Sequence, residues 1–107
     1  MVKLEIKPLS INEAWKGRRF KTDKYKKYRK DVLSMLIAKK LPEPPFKIEI
    51  EFGFSSRGCD WDNYIKLFQD IIAEKYRFND NLIYKALIEK KIVSKGDEYI
   101  KFKLESL

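Results

Sequence analysis

The segment Phe46-Lys47-Ile48-Glu49-Ile50-Glu51-Phe52-Gly53-Phe54 alternates apolar residues with charged or small ones. Period two is the pattern of a strand with one face on a core. The chain then passes through Ser55-Ser56-Arg57-Gly58-Cys59-Asp60-Trp61 into Asp62-Asn63-Tyr64-Ile65-Lys66-Leu67-Phe68. From there Tyr64, Leu67, Phe68, Ile71 and Ile72 recur at helical spacing and predict a helix over about 62–76, buried along one side. A strand, a glycine-bearing turn and an amphipathic helix make the nucleus of a layered α/β domain. Gly53, near the strand end, predicts a bulge or a close backbone approach.

Working outward, Val2, Leu4 and Ile6 alternate with Lys3, Glu5 and Lys7 as a half-buried strand that Pro8 ends. Residues 9–21 have no clean period and read as a long loop carrying Trp15, Phe20 and basic residues. Thr22 and Asp23 offer a helix start, followed by Tyr25, Tyr28, Val32 and Leu36, with Lys39 and Lys40 at the C-terminal dipole. Leu41-Pro42-Glu43-Pro44-Pro45 stops that helix. Beyond 76, Arg77-Phe78-Asn79-Asp80-Asn81 is a polar turn and Leu82 to Val93 reads as a strand, although Leu82, Ala86 and Lys90 would also suit a helix. Ser94-Lys95-Gly96-Asp97 reads as a hairpin turn, so that Tyr99 to Leu104 pairs back on that strand. The expectation is one domain over residues 1–107, an α+β sandwich of order β-α-β-α-β-β with its helices on one mixed sheet.

At 107 residues and 44% hydrophobic content the chain buries a core without staples. It has no apolar run long enough to span a membrane and no apolar signal core at its start, so a soluble, cytoplasmic protein is expected. Cys59 is the sole cysteine, which excludes an internal disulfide and a cysteine-based zinc site. Histidine is absent, which removes imidazole bases, histidine metal ligands and Ser–His or Cys–His pairs. Any hydrolysis must rest on carboxylates, lysine and a metal-bound water.

The net charge is +8. Residues 16–40 hold eleven bases against two acids, so this segment alone carries more than the whole excess. Such concentration points to a polyanion, nucleic acid before membrane, with Arg18, Arg19, Lys21, Lys24 and Lys27 as phosphate contacts.

Chemistry concentrates in Arg57 to Lys66. The turn presents Asp60 and Asp62 two residues apart, then Asn63, then Lys66 one helical turn beyond Asp62. With Asp62 as helix cap, Asp62 and Lys66 share a face. Two carboxylates at a helix mouth suit Mg²⁺ or Mn²⁺, with water and substrate phosphate completing the shell. The same residues also make a plain N-cap with a solvated charge pair. An EF-hand fails, because it requires an oxygen ligand where Tyr64 stands, glycine where Ile65 stands and glutamate where Ile71 stands. A nucleotide-sugar Asp-x-Asp site belongs to a much larger domain. Asp70, four residues after Lys66, reads as its surface partner, worth a few tenths of a kcal/mol at most.

Asp60-Trp61-Asp62-Asn63-Tyr64-Ile65-Lys66 resembles the Asp-x-Asp-Asn-x-x-Lys core of the RusA family of Holliday junction resolvases. Phe78-Asn79-Asp80-Asn81-Leu82-Ile83 is similar to that family's acidic turn before a strand. The stretch from Pro8 to Trp15 and that from Arg19 to Tyr28 resemble the start of phage-type members. The sequence departs from the pattern at Asn79, where many members carry a second aspartate. The resemblance implies a metal-dependent endonuclease that nicks branched DNA in symmetric pairs during recombination and repair. It further implies that Asp60, Asp62 and Asp80 are metal-site acids and Lys66 the essential amine. Asn63 would then fix the loop or the phosphate, and Arg57 would join the DNA contacts.

A helix over 62–76 is about 21 Å long at about 1.5 Å per residue, and four extended residues return at most about 14 Å. Asp80 is therefore expected to fall short of Asp60 and Asp62 in its own chain. That predicts a twofold homodimer with metal sites shared between subunits, which also suits two matched cuts in a four-way junction. Two rivals stand beside this reading: a non-catalytic basic nucleic-acid-binding module, and a toxin-like ribonuclease.

Overall fold

The computed structural model describes residues 1–16 and 20–107, with backbone only at Lys16 and Phe20. The central strand is β4, Phe46–Phe54. Its alternation puts Phe46, Ile48, Ile50, Phe52 and Phe54 in the core. The other strands of its sheet are β1 (Val2–Leu4), β5 (Ile83–Ile92) and β6 (Tyr99–Ser106), in the order β1-β6-β4-β5. A small ribbon of two-residue strands, β2 (Trp15–Lys16) and β3 (Phe20–Lys21), stands apart from it.

Strands β4 and β5 are parallel. A parallel pair needs a crossover, and helix α3, Asp62–Tyr76, supplies it. α3 buries Leu67, Phe68, Ile71 and Ile72, while α2 (Asp23–Met35) buries Tyr25, Tyr28 and Val32. The ring of Phe68 meets Phe102 of β6 edge-on at 5.4 Å, and Phe46 meets Phe78 in the same way at 5.1 Å. The observed architecture is the expected α+β sandwich, three helices on one four-stranded mixed sheet.

Strand pairing differs from expectation at the C-terminal end. The turn at 94–97 forms, with the Asp97 N–H donating to Ser94 O at 2.9 Å and Gly96 at φ 98°. It does not close a hairpin. β6 pairs antiparallel with β4 on one side and β1 on the other, leaving β5 at the edge. Burial explains the choice. β6 turns Ile100, Phe102 and Leu104 into the core, whereas most of β5 is exposed on both faces. The 93–98 connection therefore passes the end of β4, where Ser55 Oγ donates to Glu98 at 2.9 Å.

Three local boundaries also differ. Residues 9–21 are not one loop. Ser10 caps a short helix α1, Ile11–Ala14, by accepting from the Glu13 N–H at 3.3 Å, and the β2–β3 ribbon follows. Helix α2 starts at its Thr22 cap as expected, but ends at Met35 rather than carrying Lys39 and Lys40. Leu36 is extended and buried, and the Tyr76 hydroxyl donates to Ile37 O at 2.8 Å, which draws the chain away. Finally, Trp61 is the cap position of α3 and Asp62 its first helical residue, so the Asp62 side chain caps nothing.

Candidate active site

The turn between β4 and α3 delivers Asp60, and the first turn of α3 delivers Asp62. Both are exposed. Among the described residues, neither carboxylate is taken up by a cation or a side-chain donor. Asp62 lies where unsatisfied helix N–H groups and the dipole favour negative charge. Tyr64 anchors the turn from within the helix. Its ring packs on Phe54 at 4.6 Å and its hydroxyl lies 3.4 Å from Cys59 Sγ. Burial, followed by the Cys59 contact, holds that hydroxyl well above the ordinary tyrosine range.

One turn into the helix, Lys66 is pinned between two carboxylates, Asp70 at 3.0 Å and Asp80 at 3.1 Å. The Asp70 bond, then the Asp80 bond, raise the Lys66 pKa. Lys66 is thus a cation throughout the neutral range.

The position of Asp80 depends on how α3 ends. Arg77 adopts the left-handed conformation, φ 55° and ψ 54°, and reverses the chain. Phe78 then packs on Phe46. Asn79 caps a 3-10 turn, Asp80–Leu82, by accepting from the Asn81 N–H at 3.0 Å. The residue that departs from the expected acid is therefore the cap of the turn that aims Asp80. The Asp80 carboxylate accepts from Lys66 and from Gln69 Nε2 at 3.3 Å. The Lys66 hydrogen bond holds its pKa below the ordinary carboxylate value.

Asp80 therefore returns to its own helix at Lys66 and Gln69, one to two turns from Asp62. Among the described residues no three acidic or thiol groups converge where they could hold one metal ion. Asp60 and Asp62 alone fit the hard-oxygen preference of Mg²⁺, which takes one or two carboxylates and leaves its other positions to water and phosphate. Arg57 and Asn63 flank the pair, Arg57 exposed on the turn and Asn63 half-buried on the helix.

Of the basic segment, Arg18 and Arg19 lie outside the described residues. Lys24 and Lys27 stand on the solvent side of α2, near Glu13 at 3.7 Å and Asp31 at 2.6 Å respectively. Lys21 lies over the rings of Trp15 and Tyr25, at 5.7 and 4.6 Å. Two further residues at the site had no place in the sequence reading. Gln69 could have been found, since it lies three residues after Lys66 on the same face. Lys90 could not: it comes from β5 and donates to the carbonyls of Arg57 and Cys59, a contact 31 to 33 residues distant in sequence.

No helix is long and apolar enough to cross a membrane among the described residues. No curated protein matches the chain. A family model described as Endodeoxyribonuclease RusA matches residues 8–103. That match runs over all but the first seven and last four residues, across every element that builds the site, and the chain belongs to the RusA family of endodeoxyribonucleases.

Proposed function

We propose that this protein resolves Holliday junctions and related branched DNA by paired symmetric nicks, as a Mg²⁺-dependent homodimer in the cytoplasm of a bacterial or phage-infected cell. The observation that carries the reading is the exposed pair Asp60 and Asp62 beside a lysine held charged by two other carboxylates. Asp60 and Asp62 would hold Mg²⁺ or Mn²⁺, with Asp80 of the partner subunit completing the acids, and the ion would supply Lewis acidity toward the scissile phosphate and an activated water at neutral pH. Lys66 balances the charge that grows on the phosphate and leaving oxygen. Asn63 and Arg57 orient the phosphate, and the basic segment with Arg18, Arg19, Lys21, Lys24 and Lys27 tracks the DNA backbone. The homodimer is supported by the place of Asp80, which in its own chain is bonded to Lys66 and Gln69 rather than grouped with Asp60 and Asp62. It is supported also by the outer edge of β5, where Tyr84, Leu87 and Ile92 are exposed on a strand whose one neighbour is β4.

The test is Mg²⁺-dependent nicking of a synthetic four-way junction beside duplex and single-stranded RNA. Asp60→Asn, Asp62→Asn and Asp80→Asn should each abolish junction cleavage while binding persists or tightens, because a carboxylate near phosphate also repels it. Lys66→Ala should lose about 10²–10³ in rate with metal affinity intact or higher. Full nicking by any aspartate variant removes that residue from the site. Binding without cleavage by the unaltered protein would favour the non-catalytic module, and cleavage of the RNA alone the ribonuclease.

A further inference from the structure

Lys90 lies outside the Asp-x-Asp-Asn-x-x-Lys segment and outside the basic region. Its position on β5 pairs with Phe52, a core residue, so its side chain leaves the sheet toward the helices. The side chain is half-buried there, and its ammonium reaches the turn that carries Asp60. Nζ donates to Arg57 O at 3.0 Å and to Cys59 O at 2.8 Å. At the end of the turn the Asp60 and Trp61 carbonyls accept from the Asn63 and Tyr64 N–H groups of α3 at 3.1 Å, and the bonds before them are longer. The Cys59 N–H reaches Ser56 O at 3.4 Å, the Gly58 N–H reaches Ser56 Oγ at 3.3 Å, and Tyr64 meets Cys59 Sγ at 3.4 Å. Among the described residues the bond to Cys59 O is the shortest contact on this turn, and both bonds from Lys90 are charge-assisted.

The Cys59 carbonyl belongs to the same rigid peptide plane as the Asp60 nitrogen. Fixing that oxygen therefore fixes the plane from which Asp60 springs. Asp62, by contrast, is fixed by α3. Asp60 lies just before the helix, its carbonyl bonded to the Asn63 N–H and its nitrogen in the peptide plane that Lys90 holds, so the separation of the pair depends on both ties. We infer that Lys90 is a positioning residue for the metal pair: through Arg57 O and Cys59 O it sets where the Asp60 carboxylate stands relative to Asp62. The inference rests on the reading of Asp60 and Asp62 as metal acids. Groups that orient metal ligands in this indirect way typically change affinity by 10- to 100-fold when removed.

Mn²⁺ binding to the DNA-free protein tests this without cleavage. The readout is quenching of Trp61, which lies exposed between the two aspartates, in a Trp15→Phe background that leaves it the sole tryptophan. Lys90→Met should weaken Mn²⁺ binding about tenfold or more, with faster hydrogen exchange confined to the amides of 57–60. Lys90→Arg, which keeps the charge and the donors, should recover part of the affinity. An unchanged affinity in Lys90→Met overturns the inference, and so does faster exchange spread across the sheet, which would mark a purely structural lysine. If Lys90→Met does not fold, Lys90→Gln replaces it, and wild-type affinity there overturns the inference equally. Wild-type binding that survives Asp62→Asn is a separate result: it overturns the aspartates as metal acids, and this inference with them.

Discussion

A methyl group at Gly53 would have no room: a Cβ there would lie 2.4 Å from Cε1 of Tyr99, whose ring covers the strand at that point. The close approach expected of this glycine is therefore real, while the register shift in β4 lies at its other end, at Phe46 and Lys47. Tyr99 in turn donates to Glu51 at 2.6 Å. Burial, then that bond, push its hydroxyl up to about 12, and the Tyr99 bond lowers Glu51. Gly53→Ala should cost about 1–3 kcal/mol by overpacking, measured by urea denaturation; a cost near zero would mean the ring moves freely. At Asp80 the sign of the pH dependence is set by Lys66. A carboxyl held below its ordinary value stabilises the fold above the ordinary pKa, about 3.9. That contribution disappears as the pH falls through the lowered value. Lys66→Met should therefore raise the Asp80 titration point toward normal, read by carboxyl carbon NMR. An unmoved titration point would show that the ion pair does not form in solution.

Among the elements, β4 and α3 were legible because each has a single period and a single buried face. Helix α3 spans the expected residues, and its removal from the core is correspondingly costly: Phe68→Ala should lose about 3–5 kcal/mol by denaturant unfolding. Helix α1 has a local signal in Ser10-x-x-Glu13, the capping-box sequence, of which the structure makes the Glu13 N–H to Ser10 Oγ bond. The partner of β6 was not legible, because a turn fixes where a strand reverses and burial across the whole sheet fixes what it lies beside. For the site, adjacency decided the matter. Asp60, Asp62 and Lys66 lie within seven residues, and Asp70 proved to be the partner of Lys66 that spacing predicts. The hold of Lys90 on the turn depends on β5 lying parallel beside β4, which no local pattern reveals. Helix α2 belongs to the same scale. It turns tyrosines inward and Lys24 and Lys27 outward. Neutralising Lys21, Lys24 and Lys27 in pairs with Arg18 or Arg19 should flatten the salt dependence of DNA binding by about 0.9 per lost contact. An unchanged slope would place this charge away from DNA.

For the whole molecule the decisive experiment is a mixed dimer, one chain Asp62→Asn and the other Asp80→Asn. If each site takes Asp60 and Asp62 from one chain and Asp80 from the other, both defects fall in one site. The second site keeps all its acids. Such a dimer should make single nicks and resolve junctions poorly; a dead mixed dimer, or an active monomer, would sink the shared site. The sheet order has a different consequence, for the time course of folding. β6 is the last strand in the sequence yet lies between the first and the longest-buried, β1 and β4. Until residues 100–102 have left the ribosome β1 has nothing to pair with, and until residue 106 has followed one edge of β4 stays partly open. Nearly every sheet contact is thus distant in sequence, which slows folding and exposes unpaired strands while it proceeds. A nascent chain cut short at the 94–97 turn would keep α3, the aspartates and the β4–β5 pair and still lack the strand that joins β1 to β4.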